Sequence, residues 1–164
     1  MATISKQLTD LINEQINAEF FSAYLYQHIA DWFYEQKLIG FAKWFDHQAE
    51  EELEHGKKFL DYLRENGVKV VLKDIKAPKN TIKDVRSALA LQLSHEESVT
   101  AMIDKLMDQA ISDKDYRSQS FLKWFIDEQI EEEAHSHELV DKYDLYGSDL
   151  SILYRMDKEL GERK

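Results

Sequence analysis

The chain has 164 residues, with 32 acidic side chains against 21 basic, one proline, five glycines and no cysteine. Without cysteine there is no disulfide, thiolate metal site or thiol catalysis, and so few chain breakers exclude a turn-rich all-β fold in favour of long helices. A net charge of −11 excludes nonspecific binding to nucleic acid through the overall field and fits solubility or affinity for cations.

No apolar run approaches the ~20 residues that a membrane span needs. The segment from Met1 to Asp10 lacks the basic flank and apolar core of a signal peptide, so the expected address is the cytoplasm. The length suits a single domain over residues 1–164.

Apolar periodicity predicts four long helices and a short fifth. The first spans about 5–34, with a seam of Ile12, Ile16, Ala23, Tyr26, Ala30 and Phe33. The second spans about 38–66, with Leu38, Ala42, Phe45, Ala49, Gly56, Phe59 and Leu63. Asn66-Gly67 stops it. Residues 67–81 break the pattern: Val68, Val70, Val71 and Leu72 read as extended, and Ala77-Pro78 as a turn.

Thr81 is the expected N-cap of a third helix over about 82–111, with Leu89, Leu93, Thr100, Ile103, Met107 and Ala110 inward. A polar turn at Ser112 to Asp115 leads to a fourth helix over about 116–146, with Leu122, Phe125, Ser136, Leu139 and Tyr143. Gly147 ends it, and Ser148 is expected to cap a short helix over 148–160.

Two short turns make two antiparallel hairpins. The connector between them, about 14 residues, reaches up to ~46 Å when extended. A 27-residue helix is ~40 Å long. The connector therefore crosses the whole bundle and makes helices two and three parallel. The expected class is all-α: a ferritin-like four-helix bundle with one long crossover.

Each seam carries one acidic residue: Glu19, Glu52, Glu96 and Glu132. A glutamate facing a bundle core is costly unless it is paired or ligates a metal. Measured from turns centred near Gln36 and Lys114, all four lie roughly 24–27 Å along their helices, at one level. Glu52 is followed by His55 on the same face, the Glu-x-x-His ligand pattern of di-iron and di-manganese bundles. Four carboxylates balance two divalent cations, and oxygen donors with one imidazole suit Fe(II) or Mn(II).

The fourth helix reads two ways, as Glu132-x-x-His135 or as Gln129-x-x-Glu132. Gln129 lies in the seam and His135 on its flank, so Gln129 takes the inner position. The bland alternative is a buried polar network without metal, although no Lys or Arg lies in the seams to neutralise it.

The segments Asn13-Glu14-Gln15-Ile16-Asn17-Ala18-Glu19, Tyr24-Leu25-Tyr26, Glu51-Glu52-Leu53-Glu54-His55, Glu96 and the run from Phe121 to Glu133 resemble the non-haem prokaryotic ferritins over nearly the whole chain. The resemblance implies a ferroxidase centre. Glu19, Glu52 and His55 would hold one iron, with Glu52 bridging to a second held by Glu96 and Glu132, and Gln129 nearby. Glu51, Glu128 and Glu131 match a third iron position. Tyr26 and Trp124 match a tyrosine and a tryptophan beside the centre that could supply an electron during oxidation; core packing is at least an equal reading of Tyr26 and the favoured reading of Trp124.

The resemblance further implies storage of ferric mineral in a hollow homo-oligomeric cage of 24 subunits, with the fifth helix at its four-fold axes and O2 or H2O2 as oxidant. Bacterioferritin binds haem through a Met after the second-helix Glu. Leu53 stands there, so no haem is expected. Rubrerythrin needs cysteine, which this chain lacks, and the DNA-coating mini-ferritins often carry a basic tail, whereas the N-terminus here is not basic. A di-iron peroxidase or oxidase that stores nothing and a metal-free scaffold are the competing functions.

Overall fold

The computed structural model describes residues 4–162. The ends of the expected domain, 1–3 and 163–164, lie outside the described residues. Five helices follow in order: α1 (Lys6–Glu35), α2 (Ile39–Glu65), α3 (Val85–Ser112), α4 (Tyr116–Tyr146) and α5 (Leu150–Gly161). The Ser5 hydroxyl bonds Asp113 at 2.5 Å, placing the start of α1 beside the α3–α4 turn. That contact fixes the order expected for one full-length crossover, with α2 and α3 parallel.

The two tight turns sit where expected. Lys37 (φ 62°) and Lys114 (φ 53°) adopt the left-handed conformation that closes each hairpin, and Gly67 (φ 68°) ends α2. Two caps differ from expectation. Asp84, not Thr81, caps α3, because its carboxylate takes the Ser87 N–H while the Ser87 hydroxyl takes the Asp84 N–H. Asp149, not Ser148, caps α5 by accepting from Ser151 and Ile152. In both places a carboxylate with reciprocal or paired bonds wins over a lone hydroxyl.

The apolar core is two blocks, not one. The first gathers Tyr26, Phe33, Phe41, Phe45, Leu89 and Met156 with their neighbours. The second gathers Leu8, Ile12, Phe59, Ile103, Leu122 and Phe125 with theirs. Burying each such side chain contributes about 1.5–3 kcal/mol. Between the blocks every helix of the bundle turns polar: Glu19 and Ser22, Glu52 and His55, Gln92 and Glu96, then Gln129, Glu132 and Ser136, all buried. The seam of α3 needs one correction. Gln92 and Leu106 are buried where Leu93 and Met107 were expected, and those two are half-buried. The helix keeps its four-three spacing but brings an amide inward at the polar level.

α5 docks on the start of α2. Leu38 gives α2 no side-chain cap. The Asp157 carboxylate of α5 accepts from Phe41 N at 2.9 Å instead, satisfying one of the orphan donors of that helix end.

Candidate metal centre

The polar layer holds Glu19, Glu52, Glu96 and Glu132, one from each bundle helix and each at most 3% exposed. Among the described residues no Lys or Arg is buried to balance them. Ligand atoms of Glu19, Glu52 and His55 lie within 4.8 Å of one another. His55 Nδ1 is 3.3 Å from Glu52 Oε2. The helical spacing of three residues on α2 produces that pair directly.

Each remaining carboxylate is steadied by a neutral donor. Gln15, one turn before Glu19, donates to its Oε1 at 2.7 Å. Among the described residues Glu19 Oε2 is buried with no hydrogen-bond partner. Gln48 donates across to Glu132 Oε2 at 2.8 Å. The Tyr26 hydroxyl donates to Glu96 Oε1. Gln129 donates to Glu96 Oε2 at 3.1 Å and to Thr100 Oγ1 at 3.2 Å. The fourth helix thus presents Gln129 and Glu132 inward, while His135 is exposed. The roles of Gln15 and Gln48 are absent from the sequence reading. Gln15 was open to discovery from its spacing to Glu19, but Gln48 bonds a different helix from its own.

The electrostatics follow from burial. Burial, then the Glu52 charge, holds the Glu19 carboxyl well above the ordinary range. Burial and then Glu96 do the same for Glu52. Burial also raises Glu96, against hydrogen bonds from Tyr26 and Gln129 that lower it. Glu132 is raised to about 7 by burial and Glu96. Burial and the Glu96 charge raise the Tyr26 phenol, which therefore stays a donor. Behind Tyr26, His95 bonds Ser22 Oγ at 2.7 Å, and burial pushes it down to about 4.

These shifts fix a pH dependence. A carboxyl raised in the fold is favoured in its neutral form. Its stability contribution is full below the unfolded value and is lost as pH rises through the folded value, about 7 for Glu132. The thermal midpoint of the metal-free protein, followed by circular dichroism, is expected to fall from about pH 5 to about pH 8 and to recover when a divalent cation is added. Glu132→Gln should flatten the upper part of that slope; an unchanged slope would contradict the assignment.

The other expected positions are more open. Glu128 and Glu51 are partly buried. Glu128 Oε1 lies 3.7 Å from His55 Nε2, and Glu51 Oε1 3.8 Å from His47 Nε2. Glu131 is exposed on α4. Trp124 packs edge-on against His55 at 5.4 Å but is 39% exposed, with Lys58 Nζ 3.6 Å over its ring. It is no core residue. Tyr26 is fully buried in the layer itself.

A crossed four-helix bundle with inward carboxylates at mid-height is the architecture of the ferritin-like carboxylate proteins. The Ferritin-like domain family model matches residues 9–146. A bacterial non-heme ferritin of Staphylococcus epidermidis is 39% identical over 160 residues, covering 98% of this chain and 96% of that one. A probable bacterial non-heme ferritin-like protein of Haemophilus influenzae is 34% identical, covering 96% of each. The solved open pore ferritin of the archaeon Archaeoglobus fulgidus superposes with a TM-score of 0.97 at 38% identity, covering the whole of both chains. The chain belongs to the ferritin family, and its function is iron storage. Among the described residues no helix is long and apolar enough to cross a membrane.

Proposed function

We propose that the polar layer is a ferroxidase centre, with Fe(II) as its substrate. The observation that carries this reading is four buried carboxylates at one level with, among the described residues, no buried Lys or Arg beside them. Glu19, Glu52 and His55 hold one iron; Glu52, Glu96 and Glu132 hold the other. Gln15, Gln48, Gln129 and Tyr26 orient those carboxylates by the hydrogen bonds described above. Two Fe(II) give up one electron each, and O2 with two protons becomes H2O2. H2O2 serves as the alternative oxidant.

Anionic oxygen donors favour the harder Fe(III) over Fe(II). Tyr26, bonded to Glu96, and Trp124, against His55, supply the two further electrons that, together with the two from Fe(II) and four protons in all, take O2 to two H2O instead of H2O2. Glu51, Glu128 and Glu131 form the third iron position, from which oxidised iron moves to the mineral.

The mineral lies inside a cage of 24 subunits, in the cytoplasm. The exposed apolar residues at the α4–α5 end support an assembly. Leu145, Leu150 and Tyr154 are each at least 70% exposed, and a monomer has no use for them. Leu53 stands beside Tyr24 in the α1–α2 groove, and no haem is assigned there.

The test is anaerobic Fe(II) titration, then O2, with absorbance and sedimentation on one sample. About two to three Fe(II) bound per chain, fast oxidation and a heavy particle that keeps iron far beyond that ratio are expected. Oxidation without retention would assign a peroxidase or oxidase instead. No Fe(II) binding would overturn the centre.

A further inference from the structure

The crossover lies across α1 as a strap. Asn13 accepts from Val71 N at 2.6 Å and Asn17 from Lys73 N at 2.9 Å, so the strap is tied along that helix. It separates two grooves. On the α2 side lies an apolar groove that includes Tyr24, Leu53 and Ile75, with Glu50 and no basic residue. On the α3 side lies a cavity of about 520 Å³, a size common for small-ligand sites.

The walls of this second cavity divide by chemistry. Phe21, Leu25 and Leu91 are apolar. Lys76 and Lys79 come from the strap, and among the described residues neither forms an ion pair. No Asp or Glu lines the cavity, in a chain where 32 of 164 residues are acidic. Its inner wall is His95, fixed by Ser22 and packed edge-on between the Phe21 and Tyr26 rings at 5.7 and 5.8 Å.

We propose that this cavity binds a planar aromatic anion, its ring among Phe21, Leu25 and Leu91 and its acid group at Lys76 and Lys79. An apolar body needs the first set of walls, and two unpaired ammonium groups beside them select a negative head over a neutral one. The site is distinct from the carboxylate layer but adjoins it. His95 touches both the cavity and Tyr26, and the next residue is Glu96. A bound ring is thus linked to the metal layer through one side chain.

The test uses the full, iron-free protein, so it stands apart from the ferroxidase reading. Two fluorescent probes share an aromatic body: anilinonaphthalene sulfonate, which is anionic, and phenylnaphthylamine, which is neutral. The anion is expected to saturate at one site per chain, more weakly as salt rises. Lys76→Gln with Lys79→Gln, both on the exposed strap, should weaken the anion about tenfold and leave the neutral probe unchanged. Ser94→Trp, which fills the cavity, should weaken both probes.

Anion binding unaffected by the lysine pair, or an equal loss for both probes on the lysine changes, would overturn the proposal. So would loss of anion binding in Leu53→Trp but not in Ser94→Trp, since that places the probe in the other groove. Absence of saturable anion binding would also overturn it.

Discussion

Glu52→Gln is expected to slow Fe(II) oxidation at least about 100-fold while making the metal-free protein more stable. Glu52 is the carboxylate that feels the others most widely. It sits against His55 and Glu19, and the charges of Glu96 and Glu132 both raise its pKa. Without metal, that position costs stability at neutral pH, either as a buried charge or as a proton taken up on folding. Glutamine keeps the shape and removes the cost, so the thermal midpoint of the metal-free protein should rise.

With metal, glutamine offers one neutral oxygen where a bridging anion is needed. The two changes have opposite signs, which separates a ligand from a packing residue. Stopped-flow oxidation and calorimetry on the same sample measure them. A variant that loses stability and keeps its oxidation rate would contradict the assignment.

Gly40→Ala is the second large effect, and it acts far from the centre. A methyl group at residue 40 would lie 1.5 Å from the backbone oxygen of Asp157. No side-chain motion relieves a clash with backbone, so α5 must leave α2. Release removes the Phe41–Asp157 hydrogen bond and exposes Met156, a loss of about 3 kcal/mol in docking. Hydrogen exchange over residues 150–161 is expected to become fast. The four bundle helices and single-subunit Fe(II) binding should persist, because Glu19, Glu52, Glu96 and Glu132 all stand on α1–α4 and none on α5. Wild-type protection of α5 in this variant would contradict the docking geometry.

Much of this molecule was legible in the sequence because helices share one rise per residue. Counting from two turns brought Glu19, Glu52, Glu96 and Glu132 to one level, and all four are buried there. The Glu52–His55 pair followed from spacing alone. Periodicity was weaker where two adjacent positions both fit the four-three pattern. In α3 it preferred apolar Leu93 to polar Gln92, because hydropathy gives no credit for an amide beside a carboxylate layer.

The Gln48–Glu132 bond joins residues 84 apart, and Asp157 reaches Phe41 across 116. Such contacts depend on helix packing, which a one-dimensional pattern does not contain. The exposure of Trp124 under Lys58 has the same origin. Family likeness named the tryptophan, but its setting comes from how α2 and α4 meet.

The most direct test of the centre is anomalous diffraction at the iron edge from crystals soaked anaerobically in Fe(II). Two peaks per subunit are expected within the buried layer, one among Glu19, Glu52 and His55 and one among Glu52, Glu96 and Glu132, with Glu52 between them. Iron found only on exposed carboxylates, with Glu19 still bonded to Gln15 and Glu132 to Gln48 and nothing between them, would show that the buried layer is a polar network and not a metal site.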